Sequence, residues 1–156
     1  MLLRTLAIFG VAAVLAAGAS IQPGNPAVVS VDLLRQHLNP KVRQGLLVAM
    51  EKSDSGDHEA AIRQLRETLK KYPDSAPFVD SLLGVEFVKV SRFGDAVSFL
   101  EQAAALLPHD AMTHYNFGLA LICAGNRTRA RQEIQRAVEL DPADTAMRAR
   151  LSSLTD

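Results

Sequence analysis

Three stretches of this chain repeat one another every 34 or 35 residues, and that period limits the folds open to it. Ala61, Ala96 and Ala130 are spaced by 35 and then 34 residues, as are Pro73, Pro108 and Pro142. Four residues after each alanine stands a large apolar residue, Leu65, Leu100 or Ile134, on the same face of a helix. Upstream, each stretch has a small residue, Ala49, Gly84 or Gly118, preceded by Val48, Leu83 or Phe117. Between the two comes a turn: Gly56-Asp57-His58, Ser91-Arg92-Phe93 and Gly125-Asn126-Arg127. A unit of this length is two helices around a turn. It cannot bury its apolar face alone, so such units must stack. The extra residue between the first and second units is expected in the turn around Ser75-Ala76.

The residue types fit that geometry. Small side chains let two crossing helices approach closely. Gly or Asn near a helix end accepts the left-handed conformation that terminates helices, and Asn126 is expected to tolerate positive φ in that way. The closing prolines start the next segment better than they continue the last. Leu65, Leu100 and Ile134 are expected to plug the gap between neighbouring units. On these residues the chain resembles the tetratricopeptide-repeat family over about residues 42–142. The resemblance implies an all-α fold: a right-handed superhelical stack of antiparallel helix pairs, with repeats at about 42–75, 77–110 and 111–144. A capping helix at 143–154, carrying Ala146, Met147, Leu151 and Leu154, would close the array within a domain of 41–156.

The first unit departs most from the family pattern. Where an aromatic often stands early in the first helix, the three units have Gly45, Asp80 and His114. The large residue in mid-helix is Lys52, Phe87 or Leu121. Gly45 inside a helix costs roughly 1 kcal/mol against Ala. The first unit is therefore either a terminal capping unit or is displaced by a preceding helix.

Ahead of the repeats, Arg4, an uncharged run from Leu6 to Ala17, and Ala17-Gly18-Ala19 form the pattern of a secretory signal. Cleavage is expected after Ala19, giving a signal peptide of 1–19 and an exported, periplasmic or secreted protein. The alternative is an uncleaved anchor, the only membrane contact expected. The run falls short of the about 20 apolar residues of a comfortable span. Residues 20–40 read as a linker rich in Pro and Gly, then a short helix with Val31, Leu34 and Leu38 on one face, stopped at Asn39-Pro40.

Seventeen basic and 17 acidic residues give zero net charge, which argues against a nucleic-acid partner. Arg127, Arg129, Arg131 and Arg136 are interleaved with acids and read as a solvated face. No phosphate loop, His-Glu-x-x-His pair or cysteine pair is present. No cofactor, metal or enzymatic activity is expected. His109 and His114 make a poor metal pair, and His114 reads as a stand-in for the missing aromatic. Asn126-Arg127-Thr128 also matches a glycosylation sequon, relevant only in a eukaryotic secretory pathway. Cys123, the one cysteine, is expected as a buried or half-buried thiol, or else as an intermolecular partner.

The resemblance implies that the first helix of each unit lines a concave surface that binds an extended peptide or partner helix. The positions carried over are Leu46 and Met50 in the first unit. The second unit gives Phe78, Val85 and Lys89, with Ser81 and Val88 beside them. The third gives Met112, Tyr115, Leu119 and Cys123, with Ile122 beside them. Some family members grip a terminal carboxylate with Lys, Arg and Asn. Only Asn116 matches that set here, so an apolar ligand is expected instead. The readings left open are a protein-binding scaffold and a self-associating structural subunit.

Overall fold

A computed structural model of the chain describes residues 38–154. The signal segment and nearly all of the 20–40 segment lie outside those residues. Seven α-helices follow in order among the described residues: α1 (Pro40–Asp54), α2 (His58–Lys71), α3 (Ala76–Lys89), α4 (Phe93–Leu106), α5 (Ala111–Cys123), α6 (Arg127–Leu140) and α7 (Thr145–Ser152). No strand occurs among them. The helices pair as α1–α2, α3–α4 and α5–α6, each packs on the next, and α3 also touches α5. This is the expected stack of antiparallel pairs.

Each pair closes on a small residue. A Cβ placed on Gly84 would overlap the Leu100 side chain, reaching Cδ1 at 2.9 Å and Cδ2 at 3.0 Å. A Cβ on Gly118 would overlap Ile134 in the same way. Leu100 and Ile134 thus seat on the first helix of their own unit, and Ile134 also shares a buried cluster with Met147 of the helix that follows. Ala61, Ala96, Ala103, Ala130 and Ala137 are fully buried and keep the second helices close. Gly45 has its own close approach: a Cβ there would strike the Thr68 hydroxyl. The glycine that looks like a helix-weakening defect is the seat of the first unit.

The turns inside the pairs share one geometry. Gly56, Ser91 and Gly125 have φ of 84°, 59° and 82°. The next amide in each case reaches back to close the first helix: Asp57 N to Lys52 O at 2.9 Å, Arg92 N to Phe87 O at 2.8 Å, and Asn126 N to Leu121 O at 2.8 Å. Asn126 itself has φ −92° and caps α6, accepting from Arg129 N at 3.2 Å. The positive φ expected at Asn126 belongs to Gly125. Between pairs, Asp110 and Asp144 cap α5 and α7 through their side chains. Ahead of α3 the extra residue is absorbed by a 3-10 turn, Pro73–Ser75, running straight into the helix with no side-chain cap.

The two ends of the described array differ from its middle. In α3, Val79, Leu82, Leu83 and Phe87 are all buried in the main core. At the same register α1 has Gln44, Leu47, Val48 and Lys52, of which Gln44 and Leu47 are exposed. This face of α1 is therefore less buried than that of α3, with Gln44 and Lys52 where α3 carries core and Leu47 left exposed. At the other end α7 is in register with the first helices, its cap Asp144 standing 34 residues after Asp110. It buries Met147 against Tyr115, Ile134 and Ala137, with Leu151 and Leu154 packed alongside. Covering such a face is worth about 1.5–3 kcal/mol per large side chain.

Ser91 is the one residue other than glycine with positive φ among those described. The left-handed region costs an L-residue about 1–2 kcal/mol, part of which glycine gives back in chain entropy. Ser91→Gly should raise the unfolding free energy by about 1 kcal/mol in urea titration. An unchanged or lower midpoint would contradict the strain assigned to that turn.

Candidate functional site

By their place in the repeat, α1, α3 and α5 are the helices that the family resemblance assigns to the concave side. Nine of the 14 residues of α3 are buried, because it packs on α2, α4 and α5 at once. That crowding decides which of the expected partner residues reach the surface. Leu46, Val85 and Tyr115 do not: they are 0, 2 and 1% exposed. Leu46 belongs to the main core and Tyr115 to the cluster under α7. These three form the floor of the face and touch no partner, a correction to the expected contact set. Met50, Phe78, Met112, Leu119 and Cys123 are half-buried, as are Val88 and Ile122. Met50, Phe78 and Val88 rest on the main core, and Met112 and Leu119 on the smaller one. The surface-reaching part of the expected set is thus apolar side chains that rest on the two cores.

The polar residues on this side are engaged internally. The Ser81 hydroxyl is 3.5 Å from that of Thr113, which donates to Asp110 at 2.5 Å. Asn116, the one match to a carboxylate-gripping position, is 1% exposed and sits inside the helix layer. Lys89 reaches the surface, yet its ammonium donates to Glu86 Oε1 at 2.8 Å and to Ser53 Oγ at 2.6 Å. Ser53 in turn donates to Glu86 at 2.7 Å, and His58 Nδ1 lies 2.9 Å from the other Glu86 oxygen. This cluster ties α1 and α2 to α3. Sequence reasoning missed it, although a glutamate inside the apolar stretch Val85-Glu86-Phe87-Val88 is the mark of a carboxylate needing an internal partner.

Cys123 is half-buried, and burial raises its thiol above the usual range against the opposing pull of Arg150. Its thiol is thus poorly ionised and weakly reactive. His114 pairs with Glu133 at 2.8 Å, joining α5 to α6 in the place of an aromatic. Of the four arginines read as a solvated face, Arg129 pairs with Glu101 and lies 4.9 Å over the Phe117 ring. Among the described residues no group of three or more His, Cys, Asp or Glu is placed to hold a metal. No described helix is long and apolar enough to cross a membrane.

Asp80 stands apart. It is 4% exposed, has no hydrogen-bonding or ionic partner among the described residues, and burial raises its carboxyl from 3.8 to about 6. A raised folded pKa adds stability that is complete below the unfolded value and is lost as pH rises through about 6. Unfolding free energy should therefore fall between about pH 4 and 6.5 and level off above it, and Asp80→Asn should flatten that slope and gain stability at the upper end. Parallel pH profiles for the two proteins would show that Asp80 is not its source.

A family model, Tetratricopeptide repeat, matches residues 88–154. No curated protein matches the chain by sequence. Among solved structures, the first such domain of Spaghetti (RPAP3), bound to the HSP90 peptide SRMEEVD, is 16% identical with a TM-score of 0.70, covering 77% of this chain and 95% of that one. MamA from Desulfovibrio magneticus is 22% identical with a TM-score of 0.68, over 80% of this chain and 73% of that one. A mutant O-GlcNAc transferase of Thermobaculum terrenum is 30% identical with a TM-score of 0.67, over 72% of this chain; this chain spans only 22% of that one. The family model begins late in α3, leaving out the first pair.

Proposed function

We propose that this tetratricopeptide-repeat chain is an exported scaffold that holds a protein partner by an apolar peptide or helix laid along its concave side. The observation that carries the reading is that Met50, Phe78, Met112 and Leu119 on the three first helices are half-buried, while Leu46, Val85 and Tyr115 on the same helices are buried. Side chains in that state present apolar area without needing a partner to fold, the usual condition of a binding surface. Methionines at two of the four positions suit a surface that repacks around its ligand. The likeness to a Spaghetti domain bound to a peptide supports the same use of the fold. The contact set is Met50, Phe78, Met112 and Leu119, flanked by Lys89 and Cys123. Leu46, Val85 and Tyr115 shape the floor.

The partner that co-purifies with the tagged mature chain is to be identified by mass spectrometry and titrated in purified form. Phe78→Ser and Leu119→Ser should each weaken binding about tenfold, the effect of removing one apolar anchor. Lys70→Ser, on an exposed position of α2, should leave it unchanged. Equal affinity across all three variants would rule out the concave face.

Export rests on the N-terminal sequence pattern. Intact mass of the protein from its native host should give Ser20 as the first residue. A chain beginning at Met1 and held in the membrane would replace a soluble exported scaffold with an anchored one.

A further inference from the structure

We propose that Glu86 is a specificity-determining residue. It neutralises Lys89 in the middle unit, so the centre of the concave face accepts uncharged apolar segments and gives no foothold to acidic ones. The inference rests on the reading of that face as the partner site. Lys89 is the one cation among the inward positions of the second and third units, on the same helix as apolar Phe78 and Val88. An ammonium on such a surface attracts carboxylates when its charge is free. Here two of its donors are committed at 2.6 and 2.8 Å.

The pairing is built into the fold. Glu86 is 3% exposed. Ser53 from α1 and His58 from α2 hold its two oxygens, so it cannot swing away from Lys89. Water screens such a pair less than an exposed one. An arriving carboxylate would meet an ammonium with one donor left and a charge that Glu86 already balances, and drawing Lys89 away from Glu86 would leave a buried negative charge short of its cation. Among the described residues, Arg43 stands at the register of Phe78 in the first unit, and Arg150 acts on Cys123. They are unaltered in the variants below, so comparison among variants isolates Lys89.

The test uses two probes on the full mature chain. One is an array of amidated ten-residue peptides varied in apolar and acidic content. The other is the peptide SRMEEVD with its free carboxylate. Wild type should retain apolar array members and bind SRMEEVD weakly. Glu86→Gln, confirmed folded by circular dichroism, should bind SRMEEVD about fivefold more tightly, with the gain lost in high salt and in the Glu86→Gln/Lys89→Gln double variant. Lys89→Gln alone should change SRMEEVD affinity less than twofold, and this comparison decides the matter if Glu86→Gln does not fold. A fivefold loss of SRMEEVD binding in Lys89→Gln, or no gain in folded Glu86→Gln while apolar peptides still bind, overturns the proposal and leaves the groove reading standing. Wild type that retains no apolar peptide overturns both.

Discussion

The stack depends on how closely two helices of a pair can approach. A glycine on the first helix leaves a space one side chain wide, and a large residue on the second helix fills it: Leu100 on Gly84 and Ile134 on Gly118. Both large residues are fully buried. The contact sets the separation of the pair, and the separation determines which faces of α3 and α5 are left for the neighbouring pairs. Phe87 shows the consequence. It is fully buried, stacks on Phe99 with ring centroids 5.4 Å apart, and lies beneath the guanidinium of Arg92 at 4.6 Å. Core, turn and surface charge converge on one ring because the pair is tight.

The first pair meets the same requirement with other residues. Gly45 admits Thr68, whose hydroxyl donates to the Gln64 carbonyl at 2.9 Å and so satisfies itself within the helix. The pair is then joined to the second through Glu86 and its partners as well as through apolar packing. A buried carboxylate is a weak source of net stability, since desolvation offsets much of its attraction. Its contribution is placement: four polar groups from three helices meet at one point, and a slipped register would part Ser53 and His58 from Glu86.

Much of this was legible in the chain. The period located all three pairs, the turn residues and the in-register terminal helix, because glycine, proline and alanine act locally and recur at fixed offsets. Gly45 was misread, since helix propensity counts its cost and cannot see Thr68, 23 residues away. The concave residues were only half legible. Position in the repeat told which helix they belong to, but depth depends on neighbours: Tyr115 is sealed by Met147 of the last helix, and Leu46 joins the common core. The Glu86 cluster was illegible as a cluster because its members lie 28 and 33 residues apart, across a unit boundary.

The proposed binding role uses what tight pairing leaves over: the half-buried Met50, Phe78, Met112 and Leu119, and a Lys89 already paired with Glu86. All of that presumes the glycine seat, which a double-mutant cycle between positions 84 and 100 measures directly. Gly84→Ala alone should destabilise by about 1–3 kcal/mol, the cost of overpacking. In a Leu100→Ala background the same change should cost almost nothing, giving a coupling energy above about 1 kcal/mol. Additivity within about 0.5 kcal/mol would show that Leu100 does not sit on Gly84, and the account of the stack would fail.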